Sequence, residues 1–187
     1  MPTGSELRPS LWRTCRVLAN RRRLRIFSFL IDHPEATVSA IAKGINVPLS
    51  STSKALRLLE SRSLLMAKRS GSFVRYSVAG HNRTGRHGGL TTTLKEAFEN
   101  HPGRVNAVFS LVAVFTQPLR IEIFNALRGQ PQSFEQVRIA TGVSSRALDR
   151  HLQKLESRGF IRRRHGCYRT VRPSNEVQRE LVRLASY

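Results

Sequence analysis

Acidic residues are scarce in this chain, with Asp+Glu at 12 against Lys+Arg at 32 and a formal net charge of +20. So basic a balance demands a polyanionic partner or a compensating surface. Cysteine is rare as well: Cys15 and Cys167 are too few for a disulfide framework and suit a reducing compartment. Long hydrophobic runs are missing. The opening MPTGSELRPSLW has no apolar core of the signal-peptide kind, and the densest apolar run, VNAVFSLVAVF (105–115), is too short to span a bilayer. A soluble cytoplasmic protein without a membrane partner is the expectation. The chain also shows no paired carboxylates, no nucleophile motif and no phosphate-cradling glycine loop, so neither an enzyme nor a cofactor is expected.

What the chain does have is a hydrophobic content of 40%, enough for a core in one domain or two small ones, and basic residues running from Arg8 to Arg183 instead of gathering in a tail. It also has a repeat. The tetrapeptide LESR stands at Leu59–Arg62 and again at Leu155–Arg158, an offset of 96 positions, and at that offset Val47 matches Val143 and Leu56 matches Leu152. Upstream the register slips by one: RLRIFSFL (23–30) lies over RIEIFNAL (120–127), pairing Arg23 with Arg120, Ile26 with Ile123, Phe27 with Phe124 and Leu30 with Leu127. One compact unit is used twice, and the expected domains are 1–101 and 102–187, with the boundary near Asn100 to Gly103.

Within the first unit Leu24, Phe27, Leu30 and Ile31 recur at helical spacing, HPEAT interrupts, and VSAIAKGI resumes with Val38, Ile41, Ala42 and Ile45 inward. After Asn46-Val47-Pro48 a further helix turns Thr52, Leu56 and Leu59 to the core and Ser50, Ser53, Lys54 and Arg57 outward. Two short helices joined by a tight turn, the second with a basic outer face, describe a helix-turn-helix. LLMAKR and SFVRYSVA about Ser70-Gly71 read as a β-hairpin, a wing. The second unit repeats the order as FEQVRIATG, SSRALDRHLQKLESR, and FIRRR with CYRTV about His165-Gly166. The expected fold is mainly α with small β-hairpins: two tandem winged helix-turn-helix domains. In each, LESR closes the helix before the wing. Leu59 and Leu155 face the core, Glu60/Arg62 and Glu156/Arg158 lie toward solvent as local ion pairs, and Ser63 or Gly159 lets the chain leave the helix.

These stretches, LANRRRLRIFSFL with TVSAIAKGINVPLSSTSKALRLLESRSLL and FTQPLRIEIFNAL with SFEQVRIATGVSSRALDRHLQKLESRGFI, resemble two copies of the ArsR/SmtB-type winged helix-turn-helix. The resemblance covers nearly the whole chain. It implies sequence-specific binding of double-stranded DNA by a transcriptional regulator, located in the cytoplasm with the nucleoid. In that family one unit per chain is usual and the first and last helices form a homodimer contact; this chain departs by carrying both units. A plasmid or phage replication or partition protein is the alternative, as is a non-specific nucleoid or RNA-binding protein.

Carried over by position, the resemblance places DNA contacts at Ser50, Ser53, Lys54 and Arg57 in the first unit and at Ser145, Arg146, Asp149, Arg150 and Gln153 in the second. Arg146 and Arg150, one turn apart, suit bidentate contacts to guanine. Asp149, where the first unit has Ser53, either accepts from a cytosine amino group or repels phosphate. The wings add Lys68, Arg69 and Arg75, and Arg162, Arg163, Arg164 and Arg169, where a tip meets backbone or minor groove. No Cys-x-Cys pair stands on the recognition helix, so the family's metal chemistry is not expected. His81 and His87 read as a solvated basic tract and Cys15 as a buried small residue; Cys167 has no assigned role, and Trp12 fits an interface as well as a ligand.

Four stripes remain to be buried: Leu11, Cys15 and Leu18; Leu90, Leu94, Ala97 and Phe98; 105–115; and Val177, Leu181, Leu184 and Ala185. They predict an intramolecular pseudo-dimer through the first and last helices, with a true homodimer through 105–115 as the other possibility. GHNRTGRHGG (80–89) is then a mobile basic insertion.

Overall fold

A computed structural model describes residues 11–80, 88–100 and 102–186; His81 and His87 lie outside them. The described fold is mainly helical with small antiparallel sheets. It opens with α1 (Leu11–Leu18), α2 (Arg21–Asp32), β1 (Ala36–Thr37), α3 (Val38–Gly44), α4 (Leu49–Glu60), β2 (Leu65–Ser70) and β3 (Phe73–Val78), then α5 (Gly88–Asn100). A 3-10 turn at Pro102–Arg104 leads into α6 (Val105–Val112), α7 (Pro118–Ala126), β4 (Gln132–Ser133), α8 (Phe134–Thr141), α9 (Ser145–Glu156), β5 (Ile161–Arg164), β6 (Cys167–Thr170) and α10 (Glu176–Ala185).

Local chemistry explains the helix starts. Asn20 accepts from Arg23 N, Thr37 from Ala40 N and Asn175 from Gln178 N, while Ser133 and Gln136 form a reciprocal capping box. Between α3 and α4 Asn46 takes φ 53°, and between α8 and α9 Gly142 takes φ 65°. These left-handed residues turn each pair sharply enough for the second helix to cross the first.

Each hairpin gains a third strand that the sequence pattern did not show, in the orders β1-β3-β2 and β4-β6-β5. Two residues are too few to carry an alternating pattern, so HPEAT read as an interruption although Ala36 pairs with Tyr76 and Thr37 with Arg75. Two further boundaries differ from expectation. The apolar run 105–115 is not one helix: α6 stops at Val112, and Val114 and Phe115 continue as a turn whose side chains enter the core. Gly88 and Gly89, placed by the sequence in the insertion, are the first residues of α5.

The core is continuous. Leu24, Ile26, Phe27 and Leu30 of α2 meet Leu56 and Leu59 of α4, and Phe27 lies 6.1 Å from Phe98 of α5. Phe115, Phe124 and Phe160 meet edge to face at centroid distances of 5.0 to 6.3 Å. Helix α5 lies against α10, and α6 against α1, α2 and α10. At that junction Arg21 Nε donates to Asn106 Oδ1 at 2.7 Å, and its guanidinium stands 4.1 Å above the Phe109 ring. Trp12 is half-buried beneath the guanidiniums of Arg13 and Arg16.

Candidate nucleic-acid interface

Helix α9 separates its surfaces cleanly. Leu148, His151, Leu152 and Leu155 are buried, whereas Ser145, Arg146, Asp149, Arg150 and Gln153 are exposed along one side. The spacing i, i+1, i+4, i+5, i+8 produces that division. Asp149 is already engaged, since Gln153 Nε2 donates to its Oδ2 at 2.7 Å. The pair lies beside Arg146 and Arg150 on the same exposed side of the helix.

Helix α4 has the same geometry with weaker chemistry. Ser50, Lys54 and Arg57 are exposed and Ser53 is half-buried, while Thr52, Ala55, Leu56 and Leu59 face inward. Leu49, aligned with Ser145 by the 96-residue offset, is 55% exposed at the head of this helix and went unnoticed in the pattern. A run of solvent-facing and core-facing leucines looks alike in sequence. Neither helix start carries a side-chain cap: Pro48 and Ser144 make no such bond, so the first-turn N–H groups stay available to an anion.

Both recognition helices end by the same bonds. Leu64 N reaches Leu59 O at 3.1 Å and Ser63 N reaches Glu60 O at 2.8 Å; Phe160 N reaches Leu155 O at 3.0 Å and Gly159 N reaches Glu156 O at 2.9 Å. This paired pattern requires a left-handed residue, and Ser63 (φ 55°) and Gly159 (φ 71°) supply it. The repeated LESR is therefore the last turn of a Schellman-type exit. Glu156 does not pair with Arg158 as expected: its Oε1 accepts from Arg163 N at 2.8 Å and ties helix to wing. Buried Gln178 of α10 adds a second tie by donating to Gly159 O at 2.8 Å.

The two wings differ in how free their cations are. In the first, Lys68 lies opposite Arg75, and both turn to Glu35: Lys68 Nζ stands 3.8 Å from its carboxylate and Arg75 Nη1 donates to its carbonyl at 3.2 Å. Both partners of the ion pair are largely exposed, so the contact is weak. Arg69 is exposed on the opposite face, opposite Val74, and Phe73 at the tip is 61% exposed. In the second wing Arg162 lies opposite Arg169, and strand alternation puts Arg164 on the same face. Repulsion from Arg164 and then Arg169 holds the Arg162 guanidinium below its ordinary pKa, a field that a phosphate would relieve. Arg163 departs from this group, with its guanidinium 5.5 Å over the Tyr168 ring. Between His165 and Gly166, at φ 48° and 78°, the wing turns in two residues.

Among the described residues no cluster of three His, Cys, Asp or Glu could hold a metal, and no helix is long and apolar enough to cross a membrane. Cys15 is fully buried, and burial pushes its thiol pKa up, which leaves it unreactive. Cys167 is half-buried on β6 beside the wing turn.

A helix-turn-helix followed by an antiparallel wing defines the winged helix-turn-helix class of DNA-binding fold. Residues 117–163, from the start of α7 into β5, match the family model described as bacterial regulatory protein, arsR family. The match supports an ArsR-type helix-turn-helix over this segment, the DNA-binding element of regulators of that family. Comparison with curated proteins and with solved structures gave no match.

Proposed function

We propose that the chain is a sequence-specific double-stranded DNA-binding regulator that presents two non-identical recognition helices, α4 and α9, from winged-helix domains at 1–101 and 102–187. The observation carrying this reading is the exposed Arg146, Asp149, Arg150 and Gln153 edge of α9 beside a wing whose Arg162, Arg164 and Arg169 share one face. The first four offer base-edge hydrogen bonds and the wing offers phosphate contacts, which separates specificity from affinity. Supporting a second unit, residues 21–78 run through the same order of helices and strands as residues 118–170. Supporting an intramolecular pseudo-dimer, α5 lies on α10 and α6 on α2.

Selection of binding sites from a random duplex library is the direct test. The expected product is a bipartite site with two unlike halves, centred about one helical turn or 34 Å apart. Recovery of no preferred sequence would overturn the reading and favour non-specific nucleoid or RNA binding. Enriched sites that cluster at a replication origin would point to a replication or partition role.

A further inference from the structure

Among the described residues, Arg120 is a buried arginine without a carboxylate partner. It is 8% exposed, and among the described residues its bonds run to Ala113 O at 3.1 Å, to Val114 O, and from Nε to His151 Nδ1 at 3.4 Å. Arg23, its counterpart, holds the end of α1 in the same manner through Val17 O and Arg16 O. The duplicated arginine thus ties the helix before it to the helix that carries it. Only the second copy reaches further. At the 96-residue offset His151 corresponds to Ala55, which offers Arg23 nothing to bind.

The chemistry of that third contact is restrictive. A guanidinium Nε–H always donates, so Nδ1 of His151 must carry a lone pair and the ring must be neutral. His151 is also 8% exposed and lies on the core side of α9, one residue after Arg150 and two before Gln153. The charges about this ring are mostly positive. Arg150 and Lys154 lie near it on α9, Arg120 faces it from α7, and β5 brings exposed Arg162, Arg163 and Arg164; the carboxylates of Asp149 and Glu156 on α9 and Glu122 on α7 are exposed, the first two accepting from Gln153 and from Arg163 N. Burial first, then Arg120 and Arg150, hold the imidazole below its ordinary pKa.

We infer that His151 is a positioning residue for the α9 recognition helix: its neutral ring accepts from Arg120 and pins the helix to the α6–α7 turn, and protonation releases the pin. A second proton would set two cations 3.4 Å apart in a site screened from water, so the bond cannot survive it. Because α6 also lies against α2 and α10, the pin joins the recognition helix to the junction between the halves. The α4 helix has no such contact, so acid weakens one reader and spares the other. This inference rests on the DNA-binding reading of α9.

The test uses the full chain, the fluorescent duplex recovered by library selection, and His151→Asn, whose amide oxygen replaces Nδ1 as acceptor without titrating. Affinity is measured at fixed ionic strength from about pH 7.5 to about pH 5.5. Acid charges the other histidines and tightens phosphate attraction for both proteins, so the readout is the ratio of wild type to variant. The expected result is equal affinity near pH 7.5 and a wild type that falls progressively behind the variant as pH drops through the His151 midpoint, toward the limit of about tenfold that one pK unit of difference between free and bound His151 sets below both midpoints. Parallel curves overturn the inference. In the free protein the His151 ring proton is followed by NMR, and Arg120→Met is expected to raise its midpoint. A midpoint in the ordinary histidine range, unmoved by Arg120→Met, overturns the pin even where no duplex binds. Absence of duplex binding at every pH, with that NMR shift present, overturns the reading of α9 instead of the pin.

Discussion

Glu156 Oε1 accepts the backbone N–H of Arg163 at 2.8 Å, so the last turn of the recognition helix holds the wing by a charge-assisted bond. This contact adds to the strand ladder in holding the wing against the helix. Glu156→Ala is expected to lower duplex affinity several-fold while the melting temperature falls by little, because the freed N–H can reach water. Fluorescence anisotropy against calorimetry separates the two effects. A large drop in melting temperature would instead make Glu156 a folding residue.

The paired exits of α4 and α9 permit a stability comparison inside one molecule. Ser63 adopts φ 55°, a region that disfavours a Cβ, and Gly159 adopts φ 71°. Ser63→Gly is therefore expected to stabilise by about 0.5–1 kcal/mol and Gly159→Ala to destabilise by about 1–2 kcal/mol. Denaturant titration reads both, and like signs would contradict the assignment of these residues to equivalent turns.

Base readers and phosphate contacts are expected to fail differently. Arg146→Ala or Arg150→Ala should cost about 1–3 kcal/mol on the selected duplex and relax the preference at one base pair. Arg162→Ala should weaken all duplexes alike and reduce the slope of log affinity against log salt by about 1. With about six phosphates neutralised, wild-type affinity should fall on the order of a thousandfold between low and moderate salt. A binding curve flat in salt would remove the electrostatic part of the proposal.

Stability should depend on pH through His151. Its folded pKa is depressed, so the folded protein takes up this proton less readily than the unfolded chain. The stabilisation is complete above the unfolded value of about 6.5 and is lost as pH falls through the lower folded value. The melting temperature is expected to drop from about pH 7.5 to about pH 5, and the drop should shrink in His151→Asn. An unchanged drop would assign the acid sensitivity to other groups.

Phe109 offers a test of the proposed association state. Half-buried beneath Arg21, it has its intramolecular partner already. Light scattering at several concentrations is expected to give a monomer for both wild type and Phe109→Glu, the new carboxylate lying beside the Arg21 guanidinium. A dimer that Phe109→Glu dissolves would establish the homodimer through 105–115.

Periodicity and turn chemistry made much of this protein readable in one dimension. The core faces of α2, α3 and α4, and of α9 through the repeat, follow from local spacing, and a helix exposes or buries residues by angle alone. The basic composition and the exposed cations of α9 and its wing are likewise sequence properties, as is the ArsR-type segment. Other features depend on contacts between distant residues. β1 and β4 exist because β3 and β6 offer free edges. α6 ends at Val112 because Val114 and Phe115 are drawn into the core beside α7. Glu35 contacts Lys68 through its carboxylate and Arg75 through its carbonyl from across the first sheet, contacts with no counterpart in the second wing among the described residues. The meeting of Arg120 with His151, 31 positions apart, had no pattern to announce it. Sequence determined which residues turn inward, because that depends on neighbours a few positions away. Tertiary structure decided which cations remain free and which histidine must stay neutral, because charge and burial act through space, whatever the separation along the chain.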